Sequence, residues 1–303
     1  MIKVIFMGTP DYADTILQAL IDDNEIEVVA VYTQPDKPVG RKKILTPPPV
    51  KVTAEKNSIA LYQPDRLRDE LVVMELLKIE CDYIVVAAYG QILPFAVLHH
   101  VPCINLHASI LPQYRGASPI QQTLLNGDTE TGVTAMLMEE GLDTGAILKI
   151  EKIKVSEDEM VEDLFDRLTS VAIDLTLDVV KNFTCYIPVA QNDAAATQCK
   201  KITKSDGAVS FDNARTLFNK YRAFTPWPGI YLESKLKLKK IVLEEIISHN
   251  KAGIILSIDK DSIVVGCQKG SIRVYRVQPE SKKEMDILAY INGKRLHVAD
   301  YLS

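Results

Sequence analysis

An uncharged run from Tyr83 to Tyr114 constrains the fold more than any other stretch of this chain, because it contains no Asp, Glu, Lys or Arg. A membrane-spanning helix needs about 20 consecutive apolar residues. This run is interrupted by three prolines, a glycine, an asparagine and three histidines, so it does not meet that requirement. Two buried strands joined by a short helix fit it better, and we expect the strands at Tyr83–Ala88 and Cys103–His107.

Strand-like and helix-like segments alternate through the first half of the chain. The apolar run Ile2–Met7 predicts a strand, and apolar residues at helical spacing predict a helix over Asp11–Asp22 with Asp11 as its N-cap. Further predicted strands are Val28–Thr33, Gly132–Met138 and Ala146–Val155, and further predicted helices are Leu71–Ile79 and Met160–Asn182. The alternation predicts an α/β fold with a Rossmann-like parallel sheet, which binds ligands beyond the carboxyl ends of its strands.

A different composition interrupts this alternation between Gln34 and Val50. The segment holds five prolines and one glycine, so we expect no regular element across it and a stiff polyproline exit at Pro47–Pro49. It also carries a basic cluster, which consists of Lys37, Arg41, Lys42 and Lys43. A solvated loop explains these features, but a loop of this length in a compact domain is more often functional.

The last third of the chain has a different pattern. A linker-like stretch over residues 184–203 follows a first domain at 1–183 and precedes a second at 204–303. Short alternating segments in the second domain predict a small antiparallel β-barrel of the OB-like kind. These segments are Val209–Phe211, Gly229–Leu232, Leu236–Glu244, Gly253–Asp259, Ser262–Cys267 and Ile272–Gln278.

The net charge of −5 hides an uneven distribution. Residues 200–303 contain 19 Lys and Arg against 11 Asp and Glu, which gives +8, whereas residues 1–199 carry −13. A basic C-terminal third indicates a polyanionic partner such as a nucleic acid, although ordinary surface solubility also explains it. The five cysteines are scattered and form no C-x-x-C pair, so we expect no disulfide framework or zinc site and a reducing cytosol. No secretory signal is expected at the start of the chain.

Asn105 and His107 are the first candidates for chemistry. They lie two residues apart on a predicted strand, so their side chains share a face at the carboxyl edge of the sheet. An amide can hold a carbonyl oxygen that becomes an oxyanion, and an imidazole can move protons near neutral pH. From spacing alone, a purely structural pair at the end of a strand is the favoured explanation.

Two further segments add candidate groups. The loop Ser109–Pro112 continues directly from His107, and free backbone groups in such a loop can bind the edge of a heterocycle. The segment Gly141–Gly145 places one carboxylate, Asp143, between glycines. That carboxylate can orient an imidazole or help to deprotonate an amine, and an Asx-type turn is the structural alternative.

Together these motifs resemble the folate-dependent formyltransferase family. The core of the resemblance is Asn105-x-His107-x-Ser109-x-Leu111-Pro112 with Gly141-Leu142-Asp143-x-Gly145. It covers nearly the whole chain, since further matching segments follow in the same order: Gly8–Ala13, Thr33–Pro38 with Gly40-Arg41, Ala87–Pro94, Arg115–Gln121, Arg222–Phe224 and Pro226–Pro228. One small departure is Tyr12, which stands where Phe is common.

The resemblance implies transfer of a formyl group from 10-formyltetrahydrofolate to the α-amino group of methionyl initiator tRNA, without a metal. It implies that Asn105 binds the formyl oxygen and that His107, held by Asp143, stabilises the oxyanion and assists proton movement. Folate would bind at Ser109, Ile110, Leu111 and Pro112, with Ala88–Leu93 as the other wall. tRNA would bind Lys37, Arg41, Lys42, Lys43 and the basic C-terminal domain. We expect a cytoplasmic monomer without membrane contact.

Two other functions remain open from the sequence. A formyltransferase or hydrolase acting on a small substrate, such as an amino sugar or water, would keep Asn105, His107 and Asp143 but would need neither the basic loop nor the basic domain. A tRNA-binding module with a degenerate catalytic domain is the non-enzymatic alternative, and the three intact polar residues argue against it.

Overall fold

A computed structural model describes residues 1–40 and 42–302. The chain divides into two compact units. The first comprises Met1–Pro119, Glu130–Lys154 and Phe165–Cys199, and the second comprises Ile120–Thr129, Val155–Leu164 and Lys200–Ser303. In the part of the chain that the structure describes, no helix is both long enough and apolar enough to span a membrane.

A seven-stranded sheet forms the centre of the first unit. The strands and helices from the start of the chain to the end of this unit, in chain order, are β1 (Ile2–Gly8), α1 (Asp11–Asp22), β2 (Ile26–Tyr32), β3 (Lys37–Val39), β4 (Ile44–Thr46), α2 (Pro49–Lys56), β5 (Ala60–Tyr62), α3 (Glu70–Leu76), β6 (Tyr83–Ala87), α4 (Phe95–Leu98), β7 (Cys103–His107), β8 (Arg115–Gly116), α5 (Pro119–Asn126), β9 (Glu130–Leu137), β10 (Ile147–Lys154), α6 (Val161–Lys181) and β11 (Gln198–Cys199).

The order of strands in this sheet is β10-β9-β7-β6-β1-β2-β5. From β1 the chain builds through β2 to β5, and it then returns to the other side of β1 with β6 and β7. β1, β2, β5, β6 and β7 are parallel, whereas β9 runs antiparallel to both β7 and β10. The predicted Rossmann-like sheet is therefore confirmed, and it is extended at one edge by antiparallel pairing of β9 with β7 and with β10. The connection between β9 and β10 is too short for a crossover helix, which fits their antiparallel pairing.

The uncharged run folds as its sequence predicts, with β6, α4 and β7 in that order. β7 and α1 have the predicted bounds. The predicted N-cap of α1 is wrong: Pro10 is the N-cap, and its carbonyl oxygen accepts from the backbone N–H groups of Ala13 and Asp14. Asp11 is the first helical residue, where its negative charge still faces the positive end of the helix dipole.

The proline-rich segment is more regular than its composition predicts. β3 and β4 pair as a two-stranded antiparallel hairpin, in which Pro38 lies opposite Leu45. α2 begins at Pro49, so the end of Pro47–Pro49 is a helix start rather than a polyproline exit. Both outcomes are compatible with proline chemistry, since an isolated ribbon has open edges and the first helical position needs no N–H donor.

An antiparallel sheet with the order β12-β13-β16-β15-β14 forms the second unit, and β17 pairs with β16. The predicted strand at Val209–Phe211 does not form. Two helices, one before and one after the strands of this sheet in chain order, were not predicted from the sequence. The elements are α7 (Ala214–Phe224), β12 (Ile230–Tyr231), β13 (Lys237–Glu245), β14 (Ile255–Ile258), β15 (Ile263–Gly266), β16 (Ser271–Gln278), β17 (Met285–Asp286) and α8 (Ile287–Lys294).

Candidate active site at the end of strand β7

Asn105 and His107 lie at the carboxyl end of β7, between the neighbouring strands β6 and β9. Leu106 between them is buried, as the two-residue period of a strand requires. His107 is also buried, at 6 % exposed, whereas Asn105 is half-buried. Within the described residues no group hydrogen-bonds to the Asn105 amide. This amide is therefore available to a ligand.

A contact with a backbone carbonyl holds one edge of the His107 ring. Its Nε2 lies 2.9 Å from the carbonyl oxygen of Tyr114. A carbonyl oxygen only accepts, so Nε2 carries the hydrogen and donates it. The same oxygen accepts from the thiol of Cys199 at 3.2 Å. Burial, and then the nearby charge of Asp143, raise the pKa of this thiol, which keeps the proton on sulfur.

The other ring nitrogen of His107 faces a carboxylate. Nδ1 lies 3.6 Å from Oδ2 of Asp143, and the Asp143 side chain is 12 % exposed. That distance is an ion-pair distance rather than a hydrogen bond. Oδ2 also accepts from the backbone N–H of Gly116 at 2.8 Å. The Asp143 carboxylate thus accepts from a residue 27 positions earlier in the chain. An Asx-type turn would instead use a backbone N–H two residues further on.

Gly145, which follows Asp143 by two residues, is required by close approach of the backbone. A Cβ at Gly145 would lie 1.8 Å from the carbonyl oxygen of Leu137. Asp143 itself has a φ of +55°, a left-handed conformation that Asp adopts more readily than most residues. The sequence motif Gly141–Gly145 therefore encodes a tight turn that carries one carboxylate.

The hydroxyl of Thr134 holds the loop Ser109–Pro112 by two hydrogen bonds. This Oγ1 donates to the carbonyl oxygen of Ser109 at 2.6 Å and accepts from the N–H of Leu111 at 3.1 Å. The carbonyl of Ile110 accepts from the N–H of Gln113 at 3.0 Å, and the Leu111–Pro112 peptide is cis. The expectation of a loop with free backbone groups is thus wrong for Ser109 O, Ile110 O and Leu111 N.

Three of the four predicted tRNA-binding residues, Lys37, Lys42 and Lys43, lie on the β3–β4 hairpin. Lys37, Lys42 and Lys43 are exposed, and the amine of Lys37 donates to Oε1 of Gln34 at 2.8 Å. Arg41 lies outside the described residues. Hydrophobic residues of the same hairpin are also exposed, namely Val39, Ile44 and Leu45. In the described ranges, no hydrogen bond or ion pair joins this hairpin to Asn105, His107 or Asp143.

Sequence reasoning missed several residues that support this cluster. Thr134, Thr197 and Cys199 contact the loops around His107, and Gln191 contacts the turn that carries Asp143. They belong to no motif and come from β9 and the stretch after α6. The only available signal was Arg115, which sits in a motif shared with the formyltransferases and contacts Gln191.

The described residues contain no group of three or more His, Cys, Asp or Glu side chains that is arranged to hold a metal ion. The cluster at the end of β7 instead combines an amide donor, an imidazole and one carboxylate. Such a set suits acyl transfer, in which an oxyanion must be held and protons must move.

Comparison with known proteins supports this chemistry. The family model described as formyl transferase matches residues 2–180, and that of the formyl transferase C-terminal domain matches residues 201–295. A methionyl-tRNA formyltransferase of Sulfurimonas denitrificans is 69 % identical over 99 % of this chain and 100 % of its own length. One from Nitratiruptor sp. is 54 % identical over 98 % of this chain and 99 % of its own.

The fold is also found in solved structures. An N-formyltransferase from Helicobacter canadensis, in complex with folinic acid and dTDP-3-aminofucose, superposes with a TM-score of 0.69. It is 19 % identical, and the match covers 91 % of this chain and 99 % of that one. At that identity the likeness concerns the fold alone. The two family models and the closely similar relatives go further, and this chain belongs to the formyl transferase family.

Proposed function

We propose that this chain transfers the formyl group of 10-formyltetrahydrofolate to the α-amino group of methionyl initiator tRNA, giving N-formylmethionyl-tRNA for translation initiation. The observation that carries the proposal is the half-buried amide of Asn105, without a protein partner among the described residues, beside His107 and Asp143. Relatives 69 % and 54 % identical over nearly the whole chain bear the name of this activity.

The reaction needs one new bond and one broken bond. The amine nitrogen attacks the formyl carbon, and the formyl oxygen becomes an oxyanion that the N–H of Asn105 stabilises. The bond between the formyl carbon and N10 of the folate then breaks, the amine nitrogen gives up one proton, and N10 takes one. Nδ1 of His107 is the ring nitrogen free to move that proton, because Nε2 is committed to Tyr114. Asp143 opposes the positive charge that the ring or the amine carries.

Folate binding is proposed for Ser109, Ile110, Leu111 and Pro112. The ties to Thr134 hold this loop in one conformation, which favours a preformed wall over an adaptable one. The opposite wall is the segment Ala88–Leu93, in which the side chain of Ile92 is 87 % exposed. An apolar side chain at that exposure is available to pack against a flat heterocycle.

The proposed tRNA contacts are assigned to basic side chains that form no ion pair with a carboxylate in the described part of the chain. Arg273 pairs with Glu244 and Asp259, and Arg276 pairs with two further carboxylates. Lysines on and beside β13 have no carboxylate partner in the described part of the chain; they are Lys235, Lys237, Lys239 and Lys240. We therefore assign phosphate contacts to these lysines and to those of the β3–β4 hairpin, rather than to the arginines of β16.

A single assay separates this proposal from its alternatives. The protein is incubated with 10-formyltetrahydrofolate and methionyl initiator tRNA, with a dTDP-amino sugar in a parallel reaction. Formylmethionyl-tRNA supports the proposal. Formylation of the sugar alone, or consumption of folate without either product, would indicate a small-substrate formyltransferase or a hydrolase. Binding of tRNA without any turnover would indicate a non-enzymatic module.

We further propose that the chain acts as a monomer in the cytoplasm. All five cysteines are unpaired thiols in the structure, which suits a reducing compartment. Sedimentation equilibrium of the purified protein, with and without tRNA, tests the oligomeric state. A dimer at micromolar concentration would contradict it.

A further inference from the structure

The side chain of Gln191 spans the turn that carries Asp143. Its Nε2 donates to the carbonyl oxygen of Asp143 at 2.9 Å and to that of Gly145 at 2.8 Å. A primary amide has two N–H groups, so both of its donors are used on the backbone of this one turn. Gln191 comes from the stretch that follows α6, nearly fifty residues further along the chain.

Arg115 fixes the orientation of that amide. Its Nε and one terminal nitrogen donate to Oε1 of Gln191 at 3.0 and 2.8 Å, and the same terminal nitrogen reaches Asp193 at 2.8 Å. A guanidinium only donates, so the amide oxygen must face Arg115 and the amide nitrogen must face the turn. The side chain of Arg115 is only 9 % exposed, which leaves it little freedom to move away.

Asp143 is thus held at two points. Its backbone, which is in the left-handed region, is held by Gln191, and its carboxylate is held by the N–H of Gly116. Gly116 directly follows Arg115, so the same short strand that clamps Gln191 also holds the carboxylate. A non-glycine residue in this backbone region persists only where its surroundings enforce it.

We infer that Gln191, clamped by Arg115, is a positioning residue for formyl transfer, because it holds the Asp143 carboxylate opposite Nδ1 of His107. This inference rests on the proposed function. Gln191 does not touch the reacting atoms and acts through Asp143. A displacement of about 1 Å in a catalytic group can cost about a hundredfold in rate, so loss of the clamp reduces turnover without removing a reacting group.

The expected effect is specific to turnover. Gln191→Ala lowers kcat by about tenfold to a hundredfold, and the KM for folate stays within about threefold because the Ser109–Pro112 loop is held by Thr134 instead. Gln191→Glu keeps an acceptor for Arg115 but removes both N–H donors, so it shows a similar loss while retaining the contact with the guanidinium. A merely structural role would lower the folded fraction and leave kcat per folded molecule unchanged.

A double-mutant cycle with Asp143→Asn tests the inference. If Gln191 acts through the Asp143 carboxylate, Gln191→Ala changes kcat by less than about twofold in the Asp143→Asn background. Equal losses in both backgrounds would overturn the inference. Asn192→Ala is the matched control in the same segment, since Asn192 accepts from Ala194 and not from the turn, and its kcat is expected to match that of the wild type.

The outcomes distinguish this inference from the proposed function. A wild-type protein that does not formylate methionyl-tRNA refutes the proposed function and the positioning role together. An active wild type with additive losses, or with an equal loss in Asn192→Ala, refutes only the positioning role. Circular dichroism of each variant provides the folded fraction used to scale kcat. If Gln191→Ala is poorly folded, the kcat of Gln191→Glu tests the inference in its place.

Discussion

The Nε2 of His107 donates to the carbonyl oxygen of Tyr114 across 2.9 Å, and this contact decides which ring nitrogen is available for chemistry. The proton on Nε2 is engaged, so we assign the proposed proton exchange to Nδ1, the nitrogen that faces Asp143. In the proposed reaction the ring has one fixed edge, at Nε2, and one reactive edge, at Nδ1, and the carboxylate lies on the side of Nδ1.

Asp143→Asn tests the charge on that side. Asn keeps an oxygen that accepts from Gly116 but removes the negative charge opposite Nδ1. We expect kcat to fall about a hundredfold or more, as is typical when a proton-transfer partner is lost. Single-turnover formylation measures the loss, with folate affinity as the control. Unchanged turnover would show that the charge has no part in the reaction.

Asn105→Ala removes the proposed oxyanion donor. Loss of one such donor costs about 3 kcal/mol, so turnover should fall about a hundredfold or more. Because no described residue bonds to the amide, its removal leaves no buried partner unsatisfied, and the midpoint of thermal unfolding should stay near that of the wild type. Asn105→Asp provides a matched variant with the same shape but no N–H donor, and it should be equally impaired.

The lysines of β13 should contribute more to tRNA affinity than the arginines of β16. Lys237→Ala with Lys239→Ala is expected to weaken binding and to reduce the slope of log K against log salt by about 2, since each lost phosphate contact reduces it by about 1. Filter binding across a salt series measures the slope. Lys152→Ala is the control because that amine is already paired with Glu130. A slope unaffected by the double substitution would place the phosphate contacts elsewhere.

Tyr12→Phe should stabilise the protein. The hydroxyl of Tyr12 is buried without a hydrogen-bond partner among the described residues, and burial raises its pKa. The ring packs edge-on against Phe165 at a centroid distance of 5.9 Å, a contact that Phe retains. Removing an unsatisfied buried hydroxyl is expected to gain about 1 kcal/mol, which urea unfolding monitored by circular dichroism can measure. Destabilisation would reveal a partner for the hydroxyl.

Acid should selectively remove the contribution of Asp23 to the free energy of unfolding. Hydrogen bonding from Lys181 and from the N–H of Glu25 lowers the pKa of Asp23. A carboxyl whose folded pKa is lowered stabilises the fold above its unfolded pKa, and that stability is lost as pH falls through the folded value. Asp23→Asn should therefore be less stable than the wild type at pH 7, by up to about 1 kcal/mol, and equal to it near pH 2. A difference that persists in acid would contradict this account.

The spacing of apolar residues predicted those helices and strands that bury one face or all of their side chains. The bounds of α1 and β7 follow from apolar spacing, and β7 also gave the common face of Asn105 and His107. It failed for α7 and α8, since no element was predicted over either stretch. α7 is capped by Asn213, whose side chain accepts from the N–H of Thr216, and that cap was the missed signal.

The candidate site was predictable only in part, because its support is assembled from distant segments. Motifs identified Asn105, His107 and Asp143 as candidates. The clamp by Gln191 joins residues nearly fifty positions apart, and no local pattern encodes such a pair. The direction of β9 was missed for a similar reason, since an apolar strand pattern does not state whether its neighbour runs parallel or antiparallel.

The parallel pairing of β11 with β8 has a consequence for synthesis of the protein on the ribosome. Gly116 packs so closely against this return of the chain that a Cβ would lie 2.2 Å from the carbonyl oxygen of Cys199. A nascent chain that has emerged only as far as α6 contains every candidate catalytic side chain but lacks both β11 and Gln191. The candidate site is therefore completed late, when the stretch after α6 has left the exit tunnel and packed against it.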